Sequence, residues 1–235
     1  MKYYSIDFDY ENFPKGSAID QTGGVLRKNE EIKEIFWSHF NTRLPVGLPN
    51  AIPRFNFINY RKSKKFEAED YIGDLYSIGM IISNKMKTIF ESHYLPNNLL
   101  VPATLKFQYK YFDTFWFFCL TEASTDAIDF SKSYFFIDDG KASVTPLKNL
   151  DIYADKLIKF DNKSVLYKEM YKYTFPIRGY KITLSNDKYY DIIHLGSLIG
   201  PNLLFSEKIV ERLNSSKMTN CVFKEYILVN QNKNK

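Results

Sequence analysis

Two segments of the chain repeat one short pattern, and this repetition constrains the fold more than any other feature of the sequence. In each segment three apolar residues precede a serine, a short amphipathic stretch follows, and an apolar run comes next. Ser83 and Ser206 are the expected helix N-caps, because a serine hydroxyl accepts hydrogen bonds from the free amides of a first helical turn. An aspartate, Asp70 or Asp191, opens an apolar segment ahead of each serine. The pattern predicts either two related α/β units packed in one fold or two independent instances of a common cap–helix–strand arrangement.

The spacing of apolar residues after each serine predicts a short amphipathic helix. Met86, Ile89 and Phe90 share one face of the first helix, and Ile209 and Leu213 share one face of the second. Each helix is therefore expected to pack this face on a sheet.

The rest of the chain alternates strand-like runs with turn signals. We predict a helix at Glu30–Phe40 and a strand or helix entry at Lys181–Leu184. Irregular connections are expected at 11–29, 43–53 and 126–133. The tract 166–180 is rich in aromatic residues and is broken at Pro176 and Gly179. A frayed tail is expected at 230–235. Strands are predicted at 2–10, Phe55–Tyr60, Leu99–Lys110, Phe115–Thr121, Tyr134–Ile137, Ser143–Thr145, Leu157–Phe160 and Cys221–Val229. These elements indicate an α+β fold, with a mixed or antiparallel sheet and a few short helices packed on it.

The chain is expected to form a single domain over residues 1–235, because no linker rich in Gly, Ser or Pro divides it. The segment 45–53, with three prolines, is the weakest point of this prediction. Residues 1–69 are a candidate N-terminal subregion.

Composition excludes several classes of protein. The net charge of +5 is too small for a dedicated nucleic-acid binder. The basic run Arg61–Lys65 is interpreted as a solvated loop, with an anionic partner as the alternative. The sequence has neither the apolar core of a signal peptide nor an apolar run long enough to span a membrane. Cys119 and Cys221 are expected to be reduced thiols. We therefore expect a cytoplasmic protein. The aromatic content of 17% suits interface anchors, but it is also what an AT-rich coding bias produces.

No reactive constellation is apparent in the sequence. His39, His93 and His194 stand in no metal-binding spacing, so we expect no metal, no cofactor and no catalytic residue. The acidic pairs Asp138-Asp139 and Glu30-Glu31 are interpreted as a turn and a helix start. The protein is accordingly predicted not to be an enzyme.

The order of several short motifs resembles a known group of proteins. The motifs are, in order, Asp70, Ile81-Ile82-Ser83-x-Lys85-Met86, Pro102, the aromatic strand to Leu120, Ile128-Asp129-x-x-x-Ser133, Asp191, Leu204-Phe205-Ser206-Glu207-Lys208-Ile209 and Phe223. This succession, over about residues 70–228, is similar to the immunity proteins of bacterial polymorphic toxin systems, in particular the immunity protein 11 group and its relative, immunity protein 43. The chain departs from that pattern at Thr219-Asn220, where Thr-Gly is common, and at Asn84, where Glu is common.

The resemblance implies a cytoplasmic antidote that binds a cognate toxin in a stoichiometric complex, without turnover. Its partner would be a toxin protein, contacted by aromatic or basic residues that the sequence does not identify. Two alternatives remain at this point: an enzyme acting on a small molecule, and a nucleic-acid-associated module that works through Arg61–Lys65.

Overall fold

A computed structural model of the protein describes residues 2–7, 52, 54–59, 70–75, 79–107, 110–139, 143–144, 147–148, 150–185, 189–198 and 203–231. Within these residues the three α-helices are α1 (Asn84–Glu91), α2 (Lys163–Met170) and α3 (Glu207–Ser215). The strands are β1 (Lys2–Asp7), β2 (Phe55–Asn59), β3 (Tyr71–Leu75), β4 (Gly79–Ser83), β5 (Asn98–Phe107), β6 (Lys110–Leu120), β7 (Tyr134–Ile137), β8 (Ser143–Val144), β9 (Leu147–Lys148), β10 (Ile177–Leu184), β11 (Ile192–Ile193), β12 (Leu204–Ser206) and β13 (Val222–Gln231). The predicted α+β class is confirmed.

The strands form two large sheets and one small sheet. One large sheet has the order β3-β4-β6-β5-β2, and the other has the order β11-β12-β1-β13-β10-β7. Most neighbours are antiparallel, but β2 runs parallel to β5 and β10 runs parallel to β13. The strands β8 and β9 pair only with each other.

Five strands and one helix of the first sheet have counterparts in the second. In both sheets three successive antiparallel pairings are followed by one parallel pairing, so that β3, β4, β6, β5 and β2 correspond to β11, β12, β1, β13 and β10. Helix α1 follows β4 as α3 follows β12. The residue before each cap serine pairs with the residue after each aspartate: Ile82 with Tyr71, and Phe205 with Ile192. The predicted repeat is therefore a pair of related units, here called unit 1 and unit 2.

The chain builds the two units in a circularly shifted order. In unit 1 the strand β6 follows β5 directly along the chain, whereas in unit 2 its counterpart is β1, at the N-terminus. Strand β1 lies between β12 and β13, and Lys2 pairs with Asn230. Both ends of the described chain therefore meet in the middle of one sheet.

Helices α1 and α3 contact each other and share a hydrophobic core. Met86 and Phe90 on α1, and Ile209 and Leu213 on α3, are fully buried, as their spacing predicted. The Phe90 ring lies edge-on to Phe118 of β6, with 4.9 Å between centroids. A second core surrounds β10 and contains Leu166 of α2. Burial of apolar side chains from both units in the first core ties unit 1 to unit 2.

The segment that follows α3 contains the two non-glycine residues with positive φ in the described part of the chain. Lys217 has φ 51° and Asn220 has φ 62°. Asparagine reaches this left-handed region at lower cost than most residues, which suits Asn220 to its position.

Several element boundaries differ from the sequence predictions. The tract at 166–180, described from the sequence only as aromatic-rich and broken at Pro176 and Gly179, contains the end of α2 and the beginning of β10. Strand β6 begins at Lys110 and continues through Asp113-Thr114, where its register with β5 shifts by one residue. The predicted strand Leu157–Phe160 is one isolated bridge at Ile158, and the predicted loop 126–133 contains two turns of 3₁₀ helix. The predicted helix Glu30–Phe40, most of the loops 11–29 and 43–53, and the tail after 231 lie outside the described residues.

Candidate partner-binding surface

The resemblance motifs of unit 2 assemble around the carboxylate of Asp191, which is fully buried. Ser206 donates its hydroxyl proton to Asp191 Oδ1 over 2.7 Å, and Tyr189 donates its hydroxyl proton to the same oxygen. The backbone N–H of Tyr94 donates to Oδ2 over 3.0 Å, and Lys208 Nζ lies 3.9 Å from that oxygen. Burial, together with the hydrogen bond to Asp191, raises the pKa of Tyr189 to about 12, so its hydroxyl stays a donor at neutral pH.

Unit 1 repeats this arrangement around Asp70. Ser83 donates to Asp70 Oδ1 over 2.6 Å, the backbone N–H of Thr219 donates to Oδ2 over 3.1 Å, and Lys85 Nζ lies 3.6 Å from Oδ2. In each unit the serine N–H also donates to the aspartate carbonyl over 2.8 Å. The matching geometry explains why Asp, Ser and Lys recur at related spacings in the sequence.

The two carboxylates connect the units reciprocally. Tyr94, which follows α1, binds the aspartate of unit 2, and Thr219, which follows α3, binds the aspartate of unit 1. The backbone N–H groups of the aspartates donate back, to the Tyr94 carbonyl over 2.8 Å and to the Thr219 hydroxyl over 3.0 Å. Charge-assisted hydrogen bonds of this kind are the stronger class, so the two networks fix the mutual position of α1 and α3.

The cap serines are not placed to act as nucleophiles. Ser206 is fully buried, and its hydroxyl oxygen accepts from the Ile209 N–H over 3.4 Å while its proton is directed at Asp191. Ser83 accepts from the Met86 N–H over 3.2 Å in the same way. Both serines act as the predicted N-caps.

The Ile-Asp…Ser motif is also structural. Ser133 is fully buried; its hydroxyl donates to the Asp129 carbonyl over 2.7 Å and accepts from the Thr183 N–H over 3.0 Å. Hydrogen bonds from Ser131 and Lys132 hold the pKa of the Asp129 carboxyl below its usual range. The motif thereby joins the 3₁₀ turn at Phe130–Lys132 to β10.

The other residues that the sequence singled out are dispersed. His93 Nδ1 lies 2.8 Å from the Ile89 carbonyl at the end of α1, as expected for a helix terminus, and His194 is buried. Cys119 is buried in β6, and Cys221 is half-buried just before β13 rather than within it. Asp138 forms an ion pair with Arg178 at 3.4 Å. His39, Glu30-Glu31 and Arg61–Lys65 lie outside the described residues.

Two negative observations hold for the described ranges alone. No group of three or more His, Cys, Asp or Glu side chains is placed to hold a metal ion there. No helix in those ranges is long and apolar enough to cross a membrane.

An exposed aromatic surface lies at α2 and the segment that follows it. We define the α2 face as Val165, Lys168, Tyr171, Tyr173 and Phe175, all of which are exposed. Tyr171 is 90% exposed and Phe175 is 50% exposed. Several large apolar side chains exposed within one short segment make that segment a candidate binding site.

No protein-family model and no curated protein matches this chain.

The α2 face was not predicted from the sequence. Aromatic residues are frequent throughout the sequence, and those at Phe115–Phe118 are mostly buried in β6, so residue type alone did not separate a core strand from an exposed surface. One available signal was Asn162, which accepts a hydrogen bond from the Val165 N–H over 3.1 Å and caps α2.

Proposed function

We propose that this protein is an immunity protein that neutralises a cognate bacterial toxin by forming a stoichiometric complex with it. The motif order that resembles such proteins supports the proposal, because its Asp, Ser and Lys members occupy corresponding places in the two units. The observation that carries the binding role is the α2 face, in which Tyr171 is 90% exposed. Tyrosine is enriched among the residues that dominate binding energy in protein interfaces.

The scaffold is suited to binding with little rearrangement. The two aspartate networks and the shared core hold α1 and α3 together, and Leu166 anchors α2 in the second core. A binding surface on a rigid base loses little conformational entropy on association, which favours high affinity.

An enzyme acting through the motif residues receives no support from their geometry. Asp191 and Ser206 are fully buried, and their polar atoms are engaged with each other and with the start of α3. A substrate would have to displace hydrogen bonds that cap a helix.

Coexpression tests the proposal. The chain is expressed together with the toxin domain encoded by the neighbouring gene, and cell growth and copurification are measured. We expect growth to be restored and the two proteins to elute as one complex. Growth arrest with no complex would refute the proposed function.

A further inference from the structure

The α2 face has the geometry of a presented helix surface. Lys168 and Tyr171, three residues apart, lie on the side of the helix away from the buried Leu166, and Val165 lies at the edge of that side. Tyr173 and Phe175 continue the exposed apolar area beyond the helix. A partner can therefore contact one helix side and the adjoining segment together.

This face rests on a fixed base. Leu166 is fully buried, and Met170 packs against the same core cluster. The Asn162 cap fixes the start of the helix, and Lys172 Nζ lies 2.5 Å from Glu169 Oε1 at its end. Val165 and Lys168 thus project from a helix that is capped at its start and packed in a core along its inner side.

The charges around the apolar residues are mainly positive. Lys168 lies between Val165 and Tyr171 on the face, and among the described residues no carboxylate is within ion-pair distance of it. Lys163 lies over the Tyr167 ring, 5.6 Å from its centroid, and likewise has no described carboxylate partner. Two carboxylates lie on α2 or within two residues of its start. Glu169 forms an ion pair with Lys172, and Asp161 is exposed.

We propose that the α2 face is the surface that binds the toxin, and that it takes a protein partner with carboxylates around an apolar cleft. Tyr171 and Phe175 would enter the cleft, and Lys168 would meet the carboxylates. This inference rests on the proposed function, since it names where the toxin binds and what the toxin surface must contain.

Interface variants test the inference, with the neighbouring-gene toxin domain as the probe. Affinity is measured by calorimetry for the wild-type chain, for Tyr171→Ala and for Lys168→Glu. The matched controls are Tyr111→Ala and Lys110→Glu, because both residues are exposed and lie at the start of β6. We expect Tyr171→Ala to weaken binding at least about tenfold. Lys168→Glu should weaken binding about tenfold at low salt and less at high salt. Both controls should bind the toxin domain with an affinity within about twofold of wild type.

The outcomes separate the two proposals. Wild-type binding with unchanged affinity in both α2 variants would overturn the assignment of the surface and leave the immunity function standing. Absence of binding by the wild-type chain would overturn both. Vesicles of neutral and anionic phospholipid serve as a further probe: binding of the chain to anionic vesicles that is lost in Tyr171→Ala and Lys168→Glu would assign the face to a membrane surface and refute a protein partner.

Discussion

Replacing Asp191 by alanine tests whether the aspartate networks hold the two units together. The carboxylate is fully buried and accepts hydrogen bonds from Ser206, Tyr189 and the Tyr94 N–H. Alanine leaves these donors without their acceptor at a fully buried position. Each buried unsatisfied polar group costs about 1–3 kcal/mol, and partial rearrangement of the hydroxyls recovers some of that loss. We therefore expect Asp191→Ala to lower the free energy of unfolding by about 3–5 kcal/mol.

The counterpart in unit 1 gives an internal comparison. The Asp70 side chain is 11% exposed, so water can satisfy part of what alanine leaves unpaired, and we expect a smaller loss of about 2–4 kcal/mol. Asp155→Ala is the control, because Asp155 is exposed and its replacement should change stability by no more than about 0.5 kcal/mol.

Urea unfolding followed by tryptophan fluorescence and circular dichroism measures these differences, with the midpoint and the slope compared for each variant. A double-mutant cycle with Ser206→Ala should give a coupling of about 1–3 kcal/mol between Asp191 and Ser206. If the free energy of unfolding of Asp191→Ala is within about 1 kcal/mol of the wild-type value, the carboxylate does not hold the two units together.

Three further predictions follow from burial and topology. Burial raises the pKa of the Cys119 thiol to about 12, so iodoacetamide at pH 8 should modify Cys221 in the native protein and Cys119 only after unfolding. Labelling is measured by mass spectrometry, and equal labelling rates of the two thiols in the native protein would contradict this. Burial raises the pKa of Tyr226 from 10.0 to about 12, which favours its neutral form in the folded state. The stability that this shift contributes is complete below pH 10 and is lost as pH rises through 12. Tyr226→Phe should therefore reduce the alkaline loss of stability measured by urea unfolding, and an unchanged loss would refute this. Because both ends of the described chain lie in one sheet, a circular permutant can join its termini by a short linker and open the chain after the exposed Glu122, in the bend that follows β6. This permutant should give a native circular dichroism spectrum, and an unfolded permutant would contradict the correspondence of unit 2 with unit 1.

The local parts of the fold could be predicted from the sequence, and the long-range parts could not. The helices after Ser83 and Ser206 could be predicted because each cap serine and the apolar helix face that it precedes lie within a few residues of each other. The placement of β1 between β12 and β13 depends on pairings such as Lys2 with Asn230, which no local pattern encodes. Helix α2 was not predicted because it runs into an aromatic-rich tract broken at Pro176 and Gly179, whereas burial of Leu166 in the second core favours the helix.

The candidate surface illustrates the same limit. Phe117 and Phe175 have the same side chain, yet Phe117 is fully buried and Phe175 is 50% exposed. Exposure is a property of the assembled fold, so the sequence could supply the aromatic residues but not their location at the surface.

The most direct test of the central claim is a titration of toxin activity with the purified chain. If the protein acts as a stoichiometric antidote, inhibition of the neighbouring-gene toxin domain should increase linearly with added chain and be complete at about one equivalent in tight binding. Complete loss of toxin activity at far below one equivalent would indicate catalytic inactivation, and no loss at large excess would show that the chain does not neutralise this toxin; either result contradicts the account.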